Sequence, residues 1–134
     1  MMISTKGRYA LRVMIDLAEQ SKGEYVCMKS IAERQGISLK YLEKILPLLV
    51  SGGLIEGMHG RGGGYRLTRE AKEYPVGEIL RQTEGSLAPV ACLEHGTEQC
   101  MRTAECRTLP LWMGLNRVIN DYLGKVTLAD LMKE

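Results

Sequence analysis

Two short helical segments joined by a tight turn, with a glycine-rich hairpin after them, restrict the folds open to this chain. Residues 29–35 predict the first helix, and Gly36 stands at the position where glycine commonly ends a helix. Ser38 predicts the start of the next helix, because its hydroxyl can accept a hydrogen bond from an amide of the first turn. The buried stripe of that helix comprises Leu39, Leu42, Leu46, Leu49 and Val50. This arrangement is typical of a helix-turn-helix unit.

The segment after these helices predicts a β-hairpin, with "LIEGM" and "YRLT" on either side of "HGRGGG". A phosphate-binding glycine loop would need a helix after the glycines, whereas a strand-like stretch follows here. A hairpin in this place is instead a wing, with Arg61 supplying charge at its tip. Pro47 lies inside the preceding helix, where it removes a backbone hydrogen bond. We expect a kink there that leaves residues 39–45 protruding.

Further helices flank this unit. Apolar residues at helical spacing predict an amphipathic helix over residues 7–20, "VGEILRQTEG" predicts a short one, and Thr127 caps a last short helix. Residues 109–124 predict a helix with two apolar stripes: Leu111, Leu115, Val118 and Tyr122, and Trp112, Leu115, Ile119 and Leu123. One small domain rarely covers so wide an apolar surface, which favours a dimer-forming helix; a buried core helix is the alternative.

The predicted fold is mainly α with a small β-hairpin wing, in three parts. A winged helix-turn-helix domain occupies residues 1–83, a cysteine-containing loop residues 84–108, and a dimerisation helix with a short C-terminal helix residues 109–134. A length of 134 residues argues against a multidomain enzyme. Charged residues interrupt the N-terminal apolar runs and no stretch approaches the ~18 apolar residues of a spanning helix, which predicts a cytoplasmic protein without a membrane partner.

Charge and cysteines point to the partners of such a protein. Residues 1–69 carry a net +5 and residues 70–134 a net −3, which is weak evidence for an anionic partner such as nucleic acid. Clustered thiols in a reducing compartment indicate metal ligands or redox groups rather than disulfides. Cys92, Cys100 and Cys106 are clustered, and together with His95 they form an acceptable ligand set for zinc. A thiol oxidoreductase is disfavoured, because a Cys-x-x-Cys pair is missing. Cys27 is predicted to be a small core residue.

These motifs, in this order, resemble the IscR-type winged-helix regulators, whose relatives include NsrR and CymR. The resemblance covers nearly the whole chain, from "STKGRYALRVMIDLA" through "SIAERQGISLKYLEKIL" and "GRGGGYRL" to the cysteine loop. It implies a homodimeric bacterial transcription factor, by precedent a repressor, that binds a near-palindromic operator in double-stranded DNA. The helix that begins after Ser38 would enter the major groove as the recognition helix, and the wing would enter the minor groove.

The resemblance also assigns residues to the DNA. These residues are Ser4, Lys6, Arg8, Ser38, Lys40, Tyr41, Glu43, Lys44, His59 and Arg61. Without the resemblance, partial core burial of Tyr41 and simple solvation of Glu43 are equally good interpretations. The IscR pattern has Arg where this chain has His59, so we expect Arg61 to take over insertion into the minor groove.

For the cysteine loop, the resemblance implies an iron–sulfur cluster on Cys92, Cys100 and Cys106, with [2Fe–2S] favoured over [4Fe–4S]. The family's fourth ligands are absent, because Leu109 replaces the histidine of the IscR branch and Arg8 the aspartate of the NsrR branch. His95 is the first candidate for that place, since imidazole is an established cluster ligand. Glu94, Glu98 and Glu105 are further candidates, and the alternatives are an open fourth site or one held by a small thiol or by the other subunit. A zinc-binding or cluster-free regulator of the same fold, responding through thiols or a partner protein, is the alternative.

Overall fold

The computed structural model describes residues 3–20, 22–94 and 105–133, and within these ranges it is mostly helical. The elements are α1 (Thr5–Gln20), α2 (Met28–Gln35), α3 (Leu39–Ser51), β1 (Ile55–Met58), β2 (Gly64–Leu67), α4 (Val76–Glu84), α5 (Leu109–Lys125) and α6 (Leu128–Leu131). Short 3-10 turns lie at Ala71–Glu73 and Ala91–Leu93. The predicted fold class, helices with a two-stranded antiparallel wing, is confirmed. Among the described residues, no helix has the length and apolar character that crossing a bilayer requires.

The turn between α2 and α3 forms as its residues predict. Gly36 takes the left-handed conformation, with φ at 64°, and its N–H donates to the carbonyl of Ala32. The Ser38 hydroxyl accepts from the amide of Tyr41 at 3.1 Å. Pro47 lies on the exposed side of α3, which continues past it to Ser51, so the proline does not end the helix.

The wing is attached to the segment before α2. β1 and β2 pair in antiparallel register from Ile55–Leu67 to Met58–Gly64. Val26 forms a bridge with Tyr65, and the two residues exchange both backbone hydrogen bonds at 2.8 Å. A Cβ at Gly64 would collide with the carbonyl of Val26, so only glycine permits this approach.

One main hydrophobic core joins α1, α2 and α3 to the wing, α4 and α6. Its buried members come from α1, α2, α3, the start of the wing, α4 and α6, and they are Ala10, Val13, Met14, Leu17, Ile31, Ile37, Leu42, Ile45, Leu46, Leu49, Leu54, Ile55, Tyr74, Ile79 and Leu128. Each fully buried leucine or isoleucine contributes about 1.5–3 kcal/mol relative to an exposed one. Leu128 is fully buried here, and α6 packs directly against α1 and the turn Ala71–Glu73.

Helix α5 packs on the domain by one side only. Ile119 and Leu123 contact a smaller cluster formed by Val76, Leu80 and Leu87, while no residue of α5 is itself buried. The other side presents Leu111, Leu115, Val118 and Tyr122, each 40–65% exposed, and we call these four residues the α5 stripe. The alternative of a buried core helix is therefore wrong, because the second apolar face has no cover within the described part of this chain. A dimer formed through this face stays a prediction.

Candidate nucleic-acid interface and cysteine loop

The N-terminal half of α3 presents a polar face that carries two lysines and one glutamate. Leu42, Ile45 and Leu46 anchor the helix in the core. Ser38, Lys40, Glu43 and Lys44 are exposed on the outside. Because residues three or four apart lie on one side of a helix, Lys40, Glu43 and Lys44 share a face that can approach a groove. The Ser38 hydroxyl accepts the capping hydrogen bond from the Tyr41 amide, and the same hydroxyl can still donate its proton to a phosphate.

Tyr41 is half-buried and belongs to an aromatic group that reaches α1. Its ring packs edge-on against Tyr9, with centroids 5.3 Å apart, and the Arg12 guanidinium lies 5.1 Å from the centroid of the Tyr9 ring. The interpretation of Tyr41 as partly core-packed is thus correct for its ring. Sequence reasoning missed Tyr9 and Arg12, whose spacing of three on an amphipathic helix was the available signal.

A buried carboxylate fixes α2, and with it the turn before α3, against α1. Asp16 is 2% exposed and accepts from Arg34 Nε and Nη2 at 2.9 and 2.8 Å and from Gln35 Nε2 at 2.9 Å. The hydrogen bond to Asp16 raises the pKa of Arg34. Arg12 donates in turn to the side-chain and backbone oxygens of Gln35. This network holds α2 against the body of α1.

The predicted contacts at the start of α1 have mixed surroundings. The Ser4 hydroxyl accepts from the Gly7 amide at 3.2 Å and donates to Glu84 Oε1 at 2.6 Å, so it caps α1 and ties it to α4. Lys6 is half-buried, and the exposed Arg8 donates to Thr5 Oγ1 at 3.0 Å. The Arg8 guanidinium is therefore accessible to a phosphate, whereas the Ser4 hydroxyl has internal partners.

His59 and Arg61 are exposed at the tip of the wing. Gly60 and Gly62 have φ of 93° and 77°, a region that favours glycine and makes the tip narrow. The base of the wing is held by Arg66, which pairs with Glu56 at 2.5 Å and lies 4.3 Å from the centroid of the Tyr25 ring. The two predicted tip contacts therefore project from a braced hairpin.

Two of the predicted metal ligands lie on either side of a segment outside the described residues. Cys92 is exposed in the turn Ala91–Leu93, and Cys106 is half-buried just before α5. Hydrogen bonds to Thr108 lower the pKa of the Cys106 thiol. Cys100, His95 and Glu98 lie outside the described residues, and in the rest of the chain no three candidate ligands converge. Two free thiols suit the soft donor set of an iron–sulfur cluster or of zinc.

Cys27 does not occupy the core position predicted for it. It is exposed at the N-cap of α2, and its Sγ lies 3.0 Å from Ser30 Oγ. That hydrogen bond lowers the pKa of the thiol. The apolar run "YVC" misled the prediction because only Val26, the residue bridged to the wing, packs against the core.

A helix-turn-helix with a polar, lysine-bearing outer face, followed by a braced two-stranded wing, defines a winged-helix DNA-binding protein. The sequence model of the Rrf2 family, described as an iron-dependent transcriptional regulator, matches residues 3–134. The chain belongs to the Rrf2 family.

Relatives and solved structures agree with this assignment. The chain is 40% identical over 134 residues to the HTH-type transcriptional regulator IscR of Vibrio atlanticus, covering all of this chain and 76% of that protein. It is 34% identical to the structure of CymR, the global cysteine regulator of B. subtilis, with a TM-score of 0.77 and coverage of 98% and 95%. For T. potens IscR the identity is 35%, the TM-score 0.75 and the coverage 98% and 85%. The predicted resemblance is confirmed, and the chain is a transcriptional regulator rather than an enzyme.

Proposed function

We propose that this Rrf2-family regulator is a homodimeric repressor whose affinity for its operator is set by an iron–sulfur cluster in the cysteine loop. The observation that carries the proposal is the pair of free thiols, exposed Cys92 and half-buried Cys106, in the connection between α4 and α5. The description of the family as iron-dependent supports it, as do relatives named IscR. The uncovered α5 stripe supports the dimer.

In this proposal α3 enters the major groove and the wing the adjoining minor groove. Lys40 and Lys44 neutralise phosphates, Ser38, Tyr41 and Glu43 address phosphates or base edges, and Arg61 with His59 reaches the groove floor. Lys6 and Arg8 hold the backbone beside α1. A dimer reads two half-sites about one DNA turn apart, so a small change in the spacing of the two α3 helices changes affinity.

The cluster would be held by Cys92, Cys100 and Cys106, with His95 as the fourth ligand. When bound, the cluster would respond to iron supply, oxygen or nitric oxide. The loop residues would then hold α4 and α5 at one distance with the cluster and at another distance without it. This change passes to the DNA-binding surface because α4 packs on α1, α3 and α5.

The cysteine assignment predicts that Cys92→Ala abolishes metal binding. Wild-type protein purified without air is expected to be coloured, with about two iron atoms and two sulfides per chain, because three thiolates and an imidazole suit a [2Fe–2S] cluster. The variant is expected to be colourless. The measurement is the visible absorption spectrum, with iron, sulfide and zinc assayed on the same sample.

Cys27→Ala provides the matched control, since it removes an exposed thiol outside the loop. It should keep the full iron content. A colourless wild type with one zinc per chain would replace the cluster with a structural zinc site. Equal operator binding by loaded and stripped protein at every salt concentration would end the proposal of cluster control.

The placement of α3 predicts that Lys40→Ala weakens binding without changing sequence preference. Each phosphate that is no longer neutralised reduces the steepness of log affinity against log salt by about 0.9, so a dimer without both Lys40 side chains should show a slope about 1.8 smaller. Fluorescence anisotropy titrations of an operator duplex at several salt concentrations measure the slope. Lys72→Ala, at an exposed site in the turn Ala71–Glu73, should leave the slope unchanged. Equal slopes for both variants would remove Lys40 from the interface.

A further inference from the structure

The last turn of α4 contacts three other helices through three polar side chains. Arg81 Nη2 donates to Asn120 Oδ1 on α5 at 2.6 Å, and Gln82 Nε2 donates to the carbonyl of Leu48 on α3 at 2.8 Å. Glu84 Oε1 accepts from the backbone amide and the hydroxyl of Ser4, at 3.1 and 2.6 Å. We call Arg81, Gln82 and Glu84 the α4 hub. One turn of helix is thus connected to the dimer-forming helix, the recognition helix and the start of α1.

Two glycines allow the hub to approach this closely. A Cβ at Gly52, the residue that ends α3, would collide with the Gln82 side chain. A Cβ at Gly7, buried in α1, would collide with the Glu84 carboxylate. The side-chain ends of Gln82 and Glu84 therefore lie directly over the backbone of α3 and α1, in space that a side chain at either glycine would need.

The hub directly precedes the cysteine loop. Gly85, with φ at 83°, ends α4 immediately after Glu84, and Cys92 follows seven residues later. The middle of α4 is anchored, because Ile79 is buried in the main core and Leu80 in the smaller cluster. A displacement that enters α4 from the loop therefore reaches the helix at its last turn, where the hub lies.

We propose that the α4 hub transmits the state of the cysteine loop to the DNA-binding surface, with Gln82 as the positioning residue of the recognition helix. This inference rests on the proposed control by the loop. Gln82 holds the C-terminal turn of α3, at the end opposite Lys40 and Lys44, so its movement tilts α3 about the buried residues that anchor it. Glu84 does the same for α1, whose first turn carries Lys6 and Arg8. Packed helices of this kind shift between discrete arrangements.

The test compares operator affinities of cluster-loaded and stripped protein for wild type and Gln82→Met. Methionine keeps the length of the side chain and its packing on Gly52 but cannot donate to Leu48. We expect the ratio of the two affinities to shrink at least threefold, with iron content unchanged. Gln82→Asn, which keeps the amide but is too short to reach, should behave alike. Gln20→Met, at the exposed end of α1, is the matched control and should keep the wild-type ratio.

A second readout does not depend on DNA. Hydrogen exchange of the amides from Leu49 to Gly52 should change in wild type when the cluster is removed, and should not change in Gln82→Met. A variant that keeps both the wild-type ratio and the wild-type exchange response would overturn the role of the hub while leaving control by the loop intact. A wild type whose loaded and stripped forms bind and exchange alike would overturn the control itself, and the hub with it.

Discussion

Val118→Glu is expected to convert the protein into a monomer and to lower its affinity for a palindromic operator by at least about 100-fold, because a dimer binds its second half-site intramolecularly. Val118 lies at the centre of the α5 stripe and is 64% exposed in the single chain. A carboxylate there would lose its hydration against the apolar stripe of the partner, and burial of an unpaired charge is costly. Sedimentation equilibrium and anisotropy with a full operator measure the two effects.

Met113→Glu is the matched control, because Met113 is an exposed apolar residue roughly on the opposite side of α5 from Val118. It makes the same chemical change outside the stripe, and the variant should remain dimeric with near-normal affinity. A Val118→Glu protein that sediments as a dimer would exclude the α5 stripe as the interface. A monomer that keeps full operator affinity would exclude dimeric binding.

Tyr74→Phe is expected to lower the free energy of unfolding by about 2–3 kcal/mol, since it removes a hydrogen-bond partner from one buried and two part-buried backbone groups at once. The Tyr74 hydroxyl donates to the Leu54 carbonyl at 2.7 Å and accepts from the amides of Thr68 and Arg69 at 2.9 and 3.0 Å. Tyr74 is fully buried, so water cannot readily replace that oxygen. Urea denaturation followed by circular dichroism measures the change, with the denaturant slope unaltered.

Tyr25→Phe tests whether this loss is specific to the buried hydroxyl. Tyr25 is only half-buried, and its ring keeps the contact with Arg66 after the change. The variant should lie within about 0.5 kcal/mol of wild type, as surface substitutions usually do. Equal losses in both variants, or none in Tyr74→Phe, would show that the three hydrogen bonds do not hold the wing against the core.

The helices and the wing were predictable because their determinants are local. The cap of Ser38, the left-handed Gly36 and the capping box of Thr127 each involve residues three or four positions apart. Apolar periodicity likewise reports the buried face of a single helix, and it identified the α5 stripe. Nearby residues determine the conformation of such segments, so the fold class can be predicted from the sequence pattern.

The contacts that organise the candidate site were not predictable, because they join distant positions. Gln82 meets Leu48 across 34 residues and Ser4 meets Glu84 across 80, and a sequence pattern offers no register between such pairs. The prediction that Cys27 is buried was wrong for a related reason, since its exposure depends on where the chain turns into α2 rather than on its apolar neighbours. Tyr9 and Arg12 join the surface near α3 only through tertiary packing.

The wing is attached to the rest of the domain through its base and not through its tip. The attachment consists of the backbone pairing of Tyr65 with Val26, the required glycine at position 64 and the hydrogen bond from Arg66 to the carbonyl of Gly23, and none of these involves residues 59–62. Side chains at the tip can therefore be replaced without disturbing the attachment. Under the proposed function, a lineage of such regulators can therefore change its operator preference by replacing those few residues, while the folding unit beneath them stays the same.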